Sequence, residues 1–217
     1  MKKSDKKLNE LVKRVSYVRF IIDNRLNNSF DYSLFKDFCI CCHKILYYWS
    51  STESVGYPIQ KERMKYYQEF FKIVVKYLNY VKKNYLDCEE IERNLIDRCI
   101  CNVNTKIYRY LSLKKNEYVN YNNDYVSWSL NYKSSYLEPK FYGNVFKLCA
   151  EVSSNRIGIS LYDLFLFFQD IFGMDIPCSI INEKEVVYQT IKKDIYKVEV
   201  VRRNYKSFDM EEDLDED

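Results

Sequence analysis

Apolar residues recur every three or four positions along the first half of the chain, which is the spacing of one face of an α-helix. One such stretch runs from Lys6 to Leu26 and a second from Ser33 to Trp49. A third runs from Pro58, which suits a helix start, to about Asn84. Asp87 suits the N-cap of a fourth, whose apolar stripe continues to Ile107. The pattern therefore predicts an N-terminal domain of four helices.

The helical pattern stops after Ser112. Residues 114–136 are rich in Asn, Tyr and Ser and show no sustained period, so we expect a connector with at most a short strand or hairpin. Pro139 then opens a further predicted helix that closes near Ser153. We place a domain boundary in the connector, which gives a helical domain over residues 1–130 and a second domain over residues 131–206.

The last third predicts a helix, a turn, a second helix and a strand. Ser160 suits the N-cap of a helix from Leu161 to Phe172, and Gly173 suits its C-terminus. Asn182 suits the N-cap of the next helix, which we expect to reach about Tyr196, and residues 197–203 alternate like a strand. This order is typical of a winged helix, which is a helix-turn-helix with a β-wing. The predicted fold class is therefore mainly α, with a C-terminal winged-helix domain.

A helical projection of residues 182–196 places Val187, Ile191 and Ile195 on the side that would face the core. The opposite side carries donors for phosphates and base edges, with Val186 among them. Together with the wing, it supplies the candidate DNA-binding residues Asn182, Gln189, Lys192, Lys193, Tyr196, Lys197, Arg202 and Arg203. The alternative is an ordinary solvated helix face.

The net charge of +3 combines two unlike pieces. The last eleven residues, 207–217, hold seven acids and no base, and removing their charge of −7 leaves +10 for the rest. A basic body suits a polyanionic partner. We expect the acidic tail to be disordered, and it either serves solubility alone, competes with phosphates for the basic wing, or contacts a transcription partner.

Composition argues against several kinds of chemistry. Four scattered glycines cannot form a glycine-rich nucleotide loop. His43 is the only histidine, and no orienting partner is evident for it. The cysteine clusters at residues 39–42 and 99–101 invite a zinc interpretation, but they fall in helical stretches where buried thiols are the simpler interpretation. We therefore expect a cytoplasmic protein that is not an enzyme, without cofactor, metal or membrane span.

Several phrases of the chain resemble the RteC family, regulators carried on conjugative transposons of Bacteroides and relatives. They are Glu69–Lys72, Ile107–Leu111, Tyr118–Trp128, Ile157–Leu164 and Phe168–Ile176. The resemblance implies a mostly helical protein of two domains whose winged helix binds double-stranded promoter DNA. It further implies a transcriptional activator of the excision genes of a conjugative transposon, such as a tetracycline resistance element, with the transcription machinery as a further partner.

A second class of function stays open. The long amphipathic helices of residues 6–110 are also typical of a protein-interaction module that binds no nucleic acid. The sequence does not fix an oligomeric state or an operator.

Overall fold

Helices form the first half of the described structure, as predicted. A computed structural model describes residues 3–54, 61–113, 124–132 and 144–202. The helices of this half are α1 (Lys3–Asn27), α2 (Tyr32–Ser54), α3 (Lys61–Lys83) and α4 (Glu90–Cys99). The apolar stripe of α1 is buried at Leu11, Val15, Val18 and Ile22, so the helical period marks the core-facing side.

The helices α1 and α3 run parallel to each other. Arg19 pairs with Glu69 at 2.6 Å between Nη2 and Oε1, and four residues along α1 Asp23 pairs with Lys76 at 3.0 Å. The two ion pairs follow the same order along both helices. Helix α2 connects them, and its buried side chains, including Phe38 and Trp49, pack in the same core.

The fourth helix is shorter than predicted. It ends at Cys99 rather than Ile107, and its N-cap is Glu89, because Asp87 lies in a preceding 3-10 turn. The chain leaves the helix at Ile100, which forms a β-bridge with Ile159, and Asn104 turns it through a positive φ of 66°. Of the stripe predicted beyond Cys99, Ile107 therefore belongs to a strand, whereas Val103 lies in the turn and is exposed.

Six strands form one antiparallel sheet in the order β4-β5-β2-β1-β3-β6. Their bounds are β1 (Lys106–Leu113), β2 (Tyr125–Ser129), β3 (Asn144–Glu151), β4 (Ile159–Ser160), β5 (Glu185–Gln189) and β6 (Ile195–Arg202). Two more helices, α5 (Leu161–Phe172) and α6 (Cys178–Glu183), separate β4 from β5.

The helix predicted from Leu161 to Phe172 is confirmed with both of its ends. The Ser160 hydroxyl accepts a hydrogen bond from the backbone N–H of Asp163, which caps α5. Gly173 adopts a left-handed conformation with φ of 65°, which favours glycine, and its N–H bonds back to Gln169.

The predicted winged helix is wrong. The second helix, expected from Asn182 to Tyr196, is instead the end of α6, strand β5, a 3-10 turn and the start of β6. Val186 and Val187 are both fully buried, although a helix would have turned Val186 to solvent. Successive side chains of a strand point to opposite faces, so a strand is buried continuously when both faces of its sheet are covered. β-Branched residues such as valine favour strands.

Two neighbouring predictions have different outcomes. The helix expected from Pro139 to Ser153 is strand β3 over its described part, where β1 and β6 pair with both of its edges. Pro139 itself lies outside the described residues. The strand expected over residues 197–203 is confirmed as β6, which begins two residues earlier, whereas Arg203 lies outside the described residues.

The sheet is strongly curled. In a flat sheet β5 and β6, four positions apart, would be about 19 Å from each other. Only residues 190–194 join them, and Lys192–Asp194 form a 3-10 turn that advances about 2 Å per residue. The sheet must therefore bend until the end of β5 reaches the start of β6, and register shifts between β3 and β6 accompany the bend.

Curling gives the sheet an inner and an outer face. The inner face encloses its own small apolar cluster of Ile107, Trp128, Leu148, Ala150, Val152, Val186 and Tyr188. Strand β1 contributes Tyr108 and Tyr110 to the outer face, and β2 contributes Tyr125. Tyr125 joins the main core beside Phe71 of α3, so the helices cover this part of the outer face.

Two polar contacts fasten the helices to the sheet. The Trp49 indole N–H donates to Oε1 of the buried Glu185 at 2.8 Å. The Gln68 side-chain amide donates to the carbonyl of Tyr125 at 2.7 Å and accepts from its N–H at 2.6 Å. The two bonds of Gln68 satisfy backbone groups of Tyr125 in β2 that would otherwise be buried without a partner. The boundary near residue 130 stays a prediction, but strands from both sides of it pair in this one sheet.

A buried ion pair joins α1 to α4. The Glu92 carboxylate is fully buried and accepts two hydrogen bonds from the Arg25 guanidinium, both at 2.9 Å. It also accepts the Tyr77 hydroxyl at 2.7 Å and the Glu89 N–H at 3.1 Å. The hydrogen bond to Glu92 is the main reason why the pKa of the Arg25 guanidinium is raised, so Arg25 stays charged. A buried carboxylate needs such a set of donors.

Replacing Arg25 with methionine should lower the free energy of unfolding by about 3–5 kcal/mol, because the buried Glu92 carboxyl would lose its cation and two of its hydrogen-bond donors. Urea unfolding followed by circular dichroism measures the change. Arg19→Met is the matched control, since its pair with Glu69 is partly exposed and should contribute less than about 1 kcal/mol. Equal losses in both variants would contradict a special role for Glu92.

Candidate nucleic-acid interface

Five of the eight predicted DNA-binding residues lie close together, although no helix carries them. Gln189 ends β5, Lys192 and Lys193 belong to the 3-10 turn, and Tyr196 and Lys197 begin β6. We call residues 189–197 the β5–β6 corner.

The other three predicted residues lie elsewhere. Asn182 is in α6, beyond the opposite end of β5. Arg202 ends β6, at the far end from the corner. Arg203 and the acidic tail, residues 207–217, lie outside the described residues. The predicted surface is thus reduced to its middle segment.

A buried carboxylate shapes the corner. Asp194 accepts a hydrogen bond from the Ile191 N–H at 2.9 Å, which closes the 3-10 turn, and it forms an ion pair with Arg156. Arg156 Nε also donates to the Tyr188 hydroxyl at 3.3 Å. That hydroxyl in turn accepts the Ser153 N–H at 3.0 Å. The only acid within the turn is therefore neutralised by an internal partner.

The lysines of the turn point to solvent. Lys192 and Lys193 are exposed, and across the described ranges neither forms an ion pair. Lys106, at the start of β1, is also exposed, and its Nζ lies 6.0 Å from the centre of the Tyr196 ring. Three cations and an aromatic ring thus lie at one end of the sheet.

Tyr196 and Lys197 differ in what they offer a ligand. The Tyr196 side chain is 50% exposed, and desolvation together with neighbouring groups raises its pKa to about 12, so the phenol is neutral at pH 7. Lys197 Nζ lies 2.7 Å from Glu199 Oε1, and this contact raises the pKa of Lys197. The lysine is charged, but its charge is already matched within the chain.

A lysine enclosed by tyrosines lies farther along the outer face. Lys147 Nζ is 3.0 Å from the centre of the Tyr132 ring, with the rings of Tyr108 and Tyr110 at 5.6 and 5.5 Å. Glu199 Oε2 is 3.9 Å away. The lysine occupies its own aromatic cage, so the cluster stabilises the sheet and leaves no room for a foreign cation. The alternation of Tyr108 and Tyr110 was its only signal in the sequence.

The cysteines of α2 are buried in the core, and His43 forms a hydrogen bond with the backbone. All eight cysteines are free thiols. Cys39 and Cys42 form a Cys-x-x-Cys pair in α2, but burial raises the pKa of both well above the usual value, which disfavours the thiolate that binds metals. Within the described ranges, no three His, Cys, Asp or Glu residues form a group that could hold a metal ion. The His43 Nε2 hydrogen-bonds to the carbonyl of Asp175 at 2.8 Å.

The chain matches no protein-family model, no curated protein and no solved structure. The resemblance to the RteC family therefore stays a prediction from the sequence, and the winged helix that it implies is not the observed fold. In the part of the chain that the structure describes, no helix has the length and apolar character of a membrane span.

Replacing Asp194 with alanine should lower the free energy of unfolding by about 1–3 kcal/mol, because Arg156 and the Ile191 N–H would lose a buried acceptor. Urea unfolding measures this loss. Asp170→Ala is the matched control, because its ion pair with Arg98 is more exposed and should contribute less than about 1 kcal/mol. A loss no larger than the control's would contradict the role of Asp194 in the corner.

Proposed function

We propose that the protein binds nucleic acid with the β5–β6 corner. The observation that carries this proposal is the exposed pair Lys192 and Lys193, next to Lys106 and the half-exposed ring of Tyr196, around a turn whose own carboxylate is engaged with Arg156. Lysines supply the sequence-independent attraction to phosphates, and releasing condensed counterions drives it.

The shape of the corner changes how it would contact DNA. No helix is available there to enter a major groove, so the lysines would contact phosphates from a turn and from strand ends. A neutral tyrosine beside them can approach a base or a sugar without repelling the backbone. This arrangement supports binding that is governed by charge.

Double-stranded promoter DNA stays the proposed ligand. Activation of excision genes, contact with the transcription machinery and a cytoplasmic location belong to the same proposal, on the strength of the sequence resemblance. The basic body of the chain supports the ligand class, since it holds +10 once the acidic tail is set aside.

Reversing both charges, with Lys192→Glu and Lys193→Glu, should weaken binding to a duplex at least about tenfold near 100 mM salt. It should also make the plot of log K against log salt about two units less steep, because two phosphate contacts are lost. Fluorescence anisotropy with a labelled duplex, repeated with a single strand of the same length, measures both quantities.

The matched control is Lys82→Glu with Lys83→Glu. These lysines are also adjacent and exposed, but they lie in the last turn of α3. This variant has the same net charge as the first and should retain most of the affinity and the slope. Equal losses in the two double variants would show that net charge alone governs binding, and unchanged binding in the corner variant would refute the proposed site.

An exposed aromatic pair favours a second candidate, a surface that binds another protein. Tyr17 and Phe20 on α1 stack with their ring centres 6.2 Å apart, and Phe20 is 57% exposed. The Tyr17 hydroxyl donates to Asp37 at 2.7 Å, which fixes the pair in place. Exposed aromatic side chains are common in protein interfaces. Absence of nucleic-acid binding in the wild-type protein would leave this candidate as the better one.

A further inference from the structure

The sheet has one long open edge. Strand β6 is outermost and spans eight residues, and within the described ranges only β3 pairs with it. The opposite edge strand, β4, has two residues and leads directly into α5. Long edges attract other strands, and proteins usually shorten or block them. Proline, which blocks an edge, is absent from β6.

The inner side of β6 carries apolar side chains that end in solvent. Val198 pairs with Leu148 and Val200 with Phe146, which places both valines on the inner face. Leu148 is only 3% exposed, whereas Val198 and Val200 are 48% and 46% exposed. The apolar row of the inner face therefore continues to the edge of the sheet and lacks a neighbour there.

Two side chains of opposite charge, Lys197 and Glu199, lie on the outer side of β6. Lys197 pairs with Cys149 and Glu199 with Lys147, so both side chains lie on the outer face. Glu199 is held in position by the Tyr132 hydroxyl, which lies 3.1 Å from both carboxylate oxygens. Contacts with Lys197 and Tyr132 lower the pKa of Glu199, so the carboxylate is ionised at neutral pH.

This pattern is complementary to itself. Two copies of one edge can join in a continuous sheet about a two-fold axis, which makes the strands antiparallel. An axis at Val198 places Lys197 of each copy opposite Glu199 of the other and brings the two Val198 side chains together. An axis at residue 197 or 199 would instead place like charges directly opposite, which is unfavourable. Of these three registers, the charges favour the one with the axis at Val198.

We propose that the chain forms a homodimer by antiparallel pairing of β6 with β6 about an axis at Val198. The dimer would extend the sheet across the two copies and cover the exposed valines of both inner faces. This interface does not depend on nucleic-acid binding, and Lys197 is the residue of the β5–β6 corner that it uses.

Sedimentation velocity over a concentration series tests the proposal. The wild-type protein should pass from monomer to dimer with rising concentration. Lys197→Glu and Glu199→Lys should each be monomeric, because each places like charges opposite one another. Mixing these two variants in equal amounts should restore the dimer, since every Glu then faces a Lys across the axis.

Two further variants separate the loss of edge pairing from local damage to the chain and from the change in net charge. Glu199 has contacts within its own chain, so Val198→Lys serves as a second disruption that spares them, and it should also give a monomer. Lys72→Glu on α3 makes the same charge change as Lys197→Glu away from the edge and should still dimerise. Circular dichroism checks that each variant is folded.

Three results would overturn the proposal. The first is a wild-type protein that stays monomeric at all concentrations, as would follow if another segment covered the edge. The second is a dimer that persists in Val198→Lys. The third is a mixture of the two charge variants that stays monomeric although both are folded.

Discussion

Four donor groups around the buried carboxylate of Glu92 tie the helical half together. Arg25 reaches it from α1, Tyr77 from α3, and the Glu89 N–H from the start of α4. A carboxylate without exposure to water is tolerated only when its charge and lone pairs are satisfied, so these three elements must meet at one point. That meeting fixes where α4 begins, and the chain enters the sheet shortly after this helix ends at Cys99.

The sequence predicts helices well where a long amphipathic period covers several turns, as in α1 and α3. The same logic fails for residues 182–196, because a short apolar run does not distinguish a strand from a helix. Val186, Val187 and Tyr188 are β-branched or aromatic, and they are fully buried because the helices cover one face and the curled sheet encloses the other. That environment arises from contacts with distant parts of the chain, which a local pattern does not contain.

At the candidate site, the predicted secondary structure was wrong but most of the predicted residues do lie together. Lysines and a tyrosine between residues 189 and 197 were selected for their chemistry, and five of the eight predicted residues do lie in one corner although the element that carries them was wrong. Local sequence keeps Lys192, Lys193 and Tyr196 close in any fold. It cannot supply Lys106, which arrives from β1, or show that Asp194 is engaged with Arg156, which comes from the loop after β3.

The open edge and the basic corner share strand β6, and this gives them a geometric relation. The turn lysines Lys192 and Lys193 lie five to six residues before Val198; the residues in β6 advance about 3.4 Å each and those in the 3-10 turn about 2 Å each. A two-fold axis at Val198 would therefore separate the two lysine pairs of a dimer by roughly 28–32 Å, somewhat less than the about 34–36 Å between equivalent half-sites one DNA turn apart. A weak electrostatic contact made twice on one duplex gains affinity without any new contact. Edge pairing would thus turn a small basic corner into a two-point contact with duplex DNA.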